Sequence, residues 1–463
     1  MKRKTSHNNL VTVYITNYNY ENYIKQAIES VLCQTYKNYE LIIIDDGSTD
    51  DSIEVINNYI THPKIRVIYQ KKNKGLLACN NLAIKASKGE FIIRLDADDY
   101  FDKNALLVLV NTIKEEDNIG MVFPDYYYVG KTGNIEGQER RNNFDKVNLL
   151  DQPAHGACTL IRKDFLVEVG GYNSNFDRQD GWDVWLKFID SYKIKNVNLP
   201  LFYYRKHEGN LTNNSNKLLE ARSKIYKHHA NNSNKKKLKV TAVLSVRGRI
   251  ISNSSQELGL LGGKPVIAWT IDEVLKSKII QELIIATPDP DIINYVNKIY
   301  KKRVNIVKRD IQGALENTSH EESLRLSLKK RKIKTFDALL ELTPDYPMRN
   351  SFYIEKAINV MRVHDVDKVI GVIPEESIIY KHDGSSLISL DNNHNQKKLR
   401  LERDYFYRQT GGISLTKSKL LKEKKASTNK AIQGHIILSK EAATAISTDL
   451  DLKIANTILK ASK

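Results

Sequence analysis

Two successive runs in which apolar strand segments alternate with amphipathic helices constrain this chain more than any other feature. VTVYITNYN (11–19) is an apolar run that ends in polar turn residues. Behind it, Ile24, Ala27, Ile28, Val31 and Leu32 recur at the i, i+3, i+4, i+7, i+8 spacing of a helix face. ELIIIDDGS (40–48) is a second buried strand closed by an Asp-Gly turn. Ser48, Thr49 and Asp50 are N-cap candidates for a helix with Ile53, Ile56 and Ile60 on one face. KIRVIYQ and FIIRLDADD continue the series. Parallel strands need long crossovers, so this alternation predicts a mainly parallel α/β sheet covered on both faces, with ligands at the C-terminal strand ends.

The pattern starts again near residue 239. KVTAVLSVRG opens a second series, and QELIIATPDP, RVNIVKRD, FDALLELTPD and DKVIGVIPE are its later strands. Between the two lies KHHANNSNKKKLK (227–239), polar, basic and without core residues, as an exposed linker would be. The expected organisation is a domain over 1–228, a basic linker over 229–238 and a second domain over 239–463. The 463 residues suffice for this, at about 150 residues per domain. Neither half shows a short-period repeat, which excludes a solenoid.

Composition narrows the class. Hydrophobic residues are 41% and charged residues 27% of the chain, which excludes wholesale disorder. No apolar run approaches the roughly 20 residues that cross a bilayer. The basic start MKRKTSHNNL lacks the apolar centre of a secretory signal. The expected location is the cytoplasm, free or peripheral at the inner face of the membrane. Cys33, Cys79 and Cys158 form no CxxC pair, which excludes a disulfide framework and a thiolate zinc site. An excess of 72 Lys+Arg over 55 Asp+Glu gives +17. Without an Arg-rich helix or a basic-aromatic stripe, that charge reads as drift in a Lys-, Asn- and Ile-rich chain rather than as a nucleic-acid footprint.

Three acidic clusters fall where strands end: Asp45-Asp46, Asp96-Ala97-Asp98-Asp99, and Asp180 with Asp183. On an extended segment residues i and i+2 point the same way, so Asp96 and Asp98 can approach one divalent cation. Such a cation bridges a nucleotide diphosphate and neutralises charge growing on the leaving phosphate. A solvated acidic turn that caps the next helix would leave the same pattern.

YITNYNYENYIKQAIESVLCQTYKNYELIIIDDGSTDDS, NKGLLACNNLAIKASKGEFIIRLDADD, GWDVWLKF and FYYRKHEGN follow one another across about residues 10–215. Together they resemble the ordered blocks of the family 2 glycosyltransferases. The resemblance implies a GT-A fold, a nucleotide-sugar donor, Mg²⁺ or Mn²⁺, and a glycan or lipid-linked acceptor. By position it implies that Tyr18, Asn19, Asp46 and Asp96 hold the donor, Tyr18 by stacking on a base and Asp46 by accepting from its N–H. Asp96 and Asp98, with His207, would hold the metal. The family's general base comes from a Glu-Asp pair. Here the text reads RQDGWDVW, with Gln179 before Asp180 and Gly181 after it, so Asp180 is the favoured base and Asp183 the second choice. The implied reaction is a single displacement with inversion. Trp182, Trp185, Tyr203 and Tyr204 are candidates for stacking on sugar faces; core packing is the other interpretation, favoured for Trp185.

VLSVRGRIISNSSQELGLLGGKPVIAWTI (243–271) sets a polar loop between a strand and an amphipathic helix. Loops so placed hold phosphates through backbone N–H groups and basic side chains. GGKPVIAWTI, LTPDYPMR (342–349), YFYRQTGGISL (405–415) and STDLDLKIAN (447–456) resemble blocks of the cytidylyltransferases that make CMP-activated acidic sugars. The nearest group acts on sialic-acid-like nine-carbon acids. Over about residues 239–460 this resemblance implies CTP and a nonulosonic acid as substrates. It sets Asp449 and Asp451 at the magnesium positions, with Arg247 and Lys264 on CTP and Arg249 as an additional cation. The family's loop reads like ARGGSKGIPGKN, so Ile251 and Gln256 stand where two lysines are expected and Glu257 replaces an asparagine.

The expected chain is thus α/β, with two tandem Rossmann-like nucleotide-diphospho-sugar transferase domains of GT-A type. Its expected function is that of an inverting glycosyltransferase fused to an active or degenerate CMP-sugar synthetase in surface-glycan synthesis. The alternatives are a non-catalytic sugar-nucleotide-binding scaffold and, last, a basic nucleic-acid binder.

Overall fold

The computed structural model describes residues 8–139, 156–176, 178–208, 215–311, 328, 335–375, 377–390, 406–422 and 431–461. The chain divides into two compact units, Met1–Ile225 with Tyr380–Asp404, and Tyr226–Ile379 with Tyr405–Lys463.

The first unit runs β1 (Val11–Asn17), α1 (Ile24–Leu32), β2 (Tyr39–Asp45), α2 (Ser52–Asn57), β3 (Ile65–Tyr69), α3 (Leu76–Ala86) and β4 (Phe91–Asp96). It continues through β5 (Tyr100–Phe101), α4 (Ala105–Ile113), β6 (Ile119–Val129), β7 (Ile135–Glu139) and β8 (Leu160–Arg162). α5 (Lys163–Glu168), α6 (Asp180–Ile189), β9 (Lys193–Arg205) and α7 (Ser215–Asn232) follow. The strands form one sheet of order β3-β2-β1-β4-β8-β6-β9-β5, with β7 added on β6. β1 is parallel to β2 and to β4, and β8 enters antiparallel between β4 and β6. β1 and β2 bury nearly every residue, as strands covered on both faces do. α1 lays Ile24, Ala27, Ile28 and Val31 on that sheet, the face its spacing predicted.

From β1 the chain passes to β2 on one side, and β4 lies on the other, so the sheet's topological switch point falls between β1 and β4. Ligands of open α/β sheets bind in the crevice outside the strand ends at such a point. The register there pairs Thr16 with Asp96 and Asn17 with Asp45. Two acidic strand ends are thereby brought to one edge.

Two local expectations fail. The second helix begins only at Ser52, because Ser48 is used elsewhere: its Oγ donates to Asp45 Oδ1 at 2.6 Å and accepts from the Asn19 amide at 3.0 Å. Of its three expected apolar positions only Ile56 is buried, while Ile53 and Ile60 are 37% and 52% exposed. The linker expected from residue 229 starts as helix, since α7 continues to Asn232. Tyr226 and Ala230, four residues apart on one helix face, are both buried, and Arg362 Nη2 donates to the Ala230 carbonyl at 2.6 Å.

The second unit runs β10 (Val240–Ser245), β11 (Leu260–Leu261), β12 (Lys264–Pro265), α8 (Val266–Lys276), β13 (Ile280–Thr287), α9 (Pro290–Tyr300) and β14 (Asn305–Lys308). β15 (Ala338–Leu342), α10 (Ser351–His364), β16 (Lys368–Glu375), β17 (Tyr380–His382) and β18 (Leu387–Ser389) come next, the last two within the segment that groups with the first unit. β19 (Phe406–Lys417), α11 (Ser418–Lys422), β20 (Gln433–Ile437) and α12 (Asp449–Ala461) complete the chain. Its sheet has the order β14-β13-β10-β15-β19-β16-β20, parallel from β14 to β15 with β19 inserted antiparallel. The layout repeats that of the first unit, with the switch point between β10 and β15. Val243, Ile284, Ala286, Val307 and Leu339 fill one face. Both units are α/β sheets of Rossmann-like order. Among the described residues no helix is long and apolar enough to cross a membrane.

Candidate active site

Asp96 is the last residue of β4, and Asp98 and Asp99 form the turn beyond it. β9 delivers the groups that meet this turn. Arg205, at its end, donates from its backbone N–H to Asp99 Oδ1 at 2.8 Å, from Nε to the Asp98 carbonyl at 2.9 Å, and from Nη2 to Gln26 Oε1 at 2.6 Å. Two residues on, His207 Nε2 lies 2.9 Å from Asp98 Oδ2. The His207 ring stacks on Tyr23 at 5.5 Å and meets Tyr20 edge-on at 6.0 Å. The structure therefore brings Asp98 and His207 together.

Asp96 faces a different neighbour. Arg94 Nε lies 2.9 Å from Asp96 Oδ1, while Arg94 Nη1 ion-pairs with Asp180 Oδ2. Asn80 Nδ2 donates to the same Asp180 oxygen at 3.0 Å. Asp180 opens α6 behind Gln179, whose φ of +61° turns the chain into the helix. Asp183, the second choice for the base, is buried one turn further on and ion-pairs with Lys187 at 2.8 Å. Burial and the charges of Asp98 and Asp180 push the Asp96 carboxyl up to about 6, against the pull of Arg94. Asp99 is driven well above the carboxylate range by burial and by Asp98 and Asp96. Burial, with Asp98 next, raises the Tyr20 phenol.

On the β1–β2 side, Asp46 accepts from the Lys74 and Gly75 amides at 2.9 and 2.7 Å and from Gln70 Nε2 at 2.8 Å. Those bonds, with the Cys79 thiol beside it, fix its carboxylate. Tyr18 is 42% exposed and open to stacking. Asn19 has a φ of +61° and receives the Thr49 amide at 2.8 Å, so it shapes the turn between these two side chains. Sugar stacking is corrected for Trp182, while Trp185 packs in the core as favoured: both are buried and meet edge to face at 6.3 Å, which leaves no face for a sugar. Tyr203 stacks on Tyr100 across β9 and β5 at 4.5 Å, and Tyr204 packs on Tyr126 and Tyr128.

In the second unit the polar loop closes on itself. Glu257 Oε1 accepts from the Gly248 amide at 3.4 Å and Glu257 Oε2 from Ser255 Oγ; Asp289 Oδ2 accepts from the Ile250 amide at 3.4 Å. Arg249 Nε reaches no further than the Ser255 carbonyl, at 3.5 Å. Arg247 holds down Asp345, whose carboxyl burial and Glu257 push up to about 6, and burial with Arg247 also lowers Arg309. The expected nucleotide and metal residues of this unit are placed as follows. Lys264 turns to Asp272 Oδ2 at 2.5 Å and lies over the Trp269 ring at 4.6 Å. Asp449 and Asp451 sit in the first turn of α12, and on a helix i and i+2 point apart. Asp449 Oδ1 accepts from Gln256 Nε2 at 2.8 Å. Asp451 Oδ2 accepts from the Thr448 amide at 2.8 Å while the Asp451 amide donates back to Thr448 Oγ1 at 3.2 Å, a reciprocal capping box. We expect Asp451→Ala to lower the stability of this unit by about 1 kcal/mol in a denaturant titration and to leave its response to Mg²⁺ unchanged.

Arg94, Arg205 and Asn80 were missed in the sequence. A signal existed for two of them: Arg94 interrupts an apolar strand, and Arg205 stands two positions before His207.

The sequence model for glycosyl transferase family 2 matches residues 12–170, and that for cytidylyltransferase matches residues 256–430. Over 224 residues the chain is 33% identical to the Escherichia coli UDP-Glc:alpha-D-GlcNAc-diphosphoundecaprenol beta-1,3-glucosyltransferase WfaP, covering 47% of this chain and 86% of that protein. The chain belongs to the family 2 glycosyltransferases. It is also 30% identical over 215 residues to the Pasteurella multocida chondroitin synthase, spanning 45% of this chain but only 22% of that enzyme. Among solved structures, S. aureus TarS 1–349 with UDP-GlcNAc aligns at 19% identity and a TM-score of 0.41, over 49% of this chain and 68% of TarS. This glycosyltransferase thus carries a cytidylyltransferase-family region in its C-terminal half, and the chain is a transferase.

Proposed function

We propose that the first unit transfers a sugar with inversion from a uridine-diphosphate donor to a hydroxyl of a lipid-linked or growing surface glycan. The observation that carries this is the pairing of Asp98 with His207 at the end of β4, two residues beyond Asp96, which is tied to Asp180 through Arg94. The uridine choice follows the WfaP relative, whose name states UDP-Glc.

Asp46 and Tyr18 bind the base, and the strand-end carboxylates lie beside the diphosphate. Asp180 accepts the proton of the attacking hydroxyl. The new oxygen–carbon bond forms as the bond from the anomeric carbon to the diphosphate breaks, and the leaving group takes the electron pair.

Among the described residues no three His, Cys, Asp or Glu side chains form a ready cation cage. The donor set nevertheless fits a hard divalent cation. Three aspartates crowd within four residues, and burial together with mutual repulsion raises two of them. Asp96, Asp98 and His207 would hold Mg²⁺ or Mn²⁺. When bound, that ion neutralises charge on the departing diphosphate.

For the second unit we propose cytidine-monophosphate binding with weak CTP use. Glu257 and Asp289 occupy loop amides that a phosphate would need, and the two expected lysines are replaced by Ile251 and Gln256. A triphosphate carries more charge than a monophosphate and loses more when cations are absent.

Thermal denaturation of the full chain with UDP, GDP, CDP, CMP and CTP, each with Mg²⁺ or Mn²⁺, tests both assignments, since a ligand that binds the native state stabilises it. We expect UDP with Mn²⁺ and CMP to raise the transition, and CTP to do little. Replacing Ile251→Lys with Gln256→Lys should increase pyrophosphate release from CTP with a nine-carbon sugar acid. Fast release by the unaltered chain would overturn the second assignment.

A further inference from the structure

Arg94 is a guanidinium inside the strand FIIRLD, 4% exposed. Burying that charge is costly unless its N–H groups and its charge are met. Two carboxylates meet the charge: Asp180 at Nη1, and Asp96 by an ion pair at Nε with a long hydrogen bond from Nη2 at 3.5 Å. The geometry at Asp180 is one-sided. Arg94 Nη1 and Asn80 Nδ2 both donate to Oδ2, and among the described residues no donor reaches Oδ1. A carboxylate held from two directions at one oxygen is fixed in rotation, with the other oxygen left to accept.

Gly156 lies against this arrangement. A Cβ there would stand 2.6 Å from Arg94 Nη2 and 3.4 Å from Asp180 Oδ1. Any side chain at that position would displace the guanidinium and crowd the free oxygen. The missing side chain keeps both in place.

We infer that Arg94 and Asn80 are positioning residues for the base: they lock Asp180 through Oδ2 so that Oδ1 receives the acceptor proton. The ion pair from Arg94 to Asp96 ties that orientation to the donor end of the site. This inference rests on Asp180 being the base.

The test compares Asn80→Ala, Arg94→Gln, Arg94→Lys, Asp180→Asn and the double variant Arg94→Gln with Asp180→Asn, all in the full chain. Asn80→Ala and Arg94→Gln should lower kcat about 10- to 100-fold, the usual cost of a misplaced catalytic group. KM for the nucleotide sugar should stay within about threefold, because the effect lies in the chemical step. Arg94→Lys should recover part of kcat, since it restores the charge but not the fork. In the Asp180→Asn background Arg94→Gln should cost nothing more in kcat, as groups acting through one another are non-additive.

Near-normal kcat in Asp180→Asn would overturn the base itself, and this inference with it. An inactive Asp180→Asn beside fully active Asn80→Ala and Arg94→Gln would leave the base standing and overturn the positioning role alone. A rise in donor KM larger than the fall in kcat would also overturn it, by assigning Arg94 to the donor site. Should Arg94→Gln fail to fold, Asn80→Ala, which removes a neutral donor, decides by the same readouts.

Discussion

Asp180→Asn should reduce sugar transfer at least about 100-fold while leaving nucleotide-sugar binding within about twofold, the size expected for loss of a general base. The substitution keeps shape and removes proton affinity. The folded site should tolerate it, because the asparagine carbonyl can take the Oδ2 position and still accept from Arg94 and Asn80. Its NH₂ then occupies the Oδ1 position, where a donor faces the acceptor hydroxyl and cannot take its proton. Arg94 keeps Asp96 as a counter-charge. Single-turnover kinetics with saturating donor isolate the chemical step, and calorimetry of donor binding checks the other half of the expectation. Asp183→Asn should behave oppositely: Lys187 loses a buried partner, so stability falls by more than kcat does. A larger loss of kcat in Asp183→Asn than in Asp180→Asn would transfer the base to Asp183.

The sequence conveys the sheet plan well because that plan depends on local hydrophobic period. β1, α1, β2 and β4 each lie where apolar spacing puts them. The acidic turn after β4 was legible for the same reason, as an apolar strand that must end somewhere polar. What was missed depended on local conformation or on partners elsewhere in the chain. Ser48 looked like a helix cap until Asp45 and Asn19 claimed it. Asp449 and Asp451 looked like a convergent pair, which holds on a strand and fails on α12. The polar text at 229–232 concealed the last turn of a helix that buries Tyr226 and Ala230. Arg94 is the instructive omission. A charged residue within an apolar strand has to find counter-charges, and the nearest carboxylate, Asp96, was in plain view two positions away. The other, Asp180, is 86 residues distant in sequence, and only the fold supplies it.

Asp98→Asn should lower transfer about 100- to 1,000-fold, the range seen when one electrostatic stabiliser of a transition state is removed, and at the same time leave the metal-free protein as stable as before or more so. The two effects share a cause. Burial raises the carboxyls of both Asp96 and Asp99 and like-charge repulsion from Asp98 adds to it, so without a cation the Asp98 charge costs stability, and with one it completes the site. The pH dependence follows in sign. Asp96 titrates near 6 when folded against 3.8 as a free carboxyl, so between those values the folded chain holds more protons than the unfolded one. Stability from this group is therefore greatest below about 3.8 and declines as pH rises through about 6. Asp98→Asn removes part of that repulsion and should flatten the decline. Differential scanning calorimetry in EDTA across pH 4 to pH 8 reads this directly, and the same scans with UDP and Mn²⁺ read the other side. The unaltered chain should gain stability from the pair of ligands and Asp98→Asn should gain little. A variant that is less stable in EDTA yet keeps the full gain from UDP and Mn²⁺ would mean that Asp98 serves His207 and the turn, and that the cation is held elsewhere.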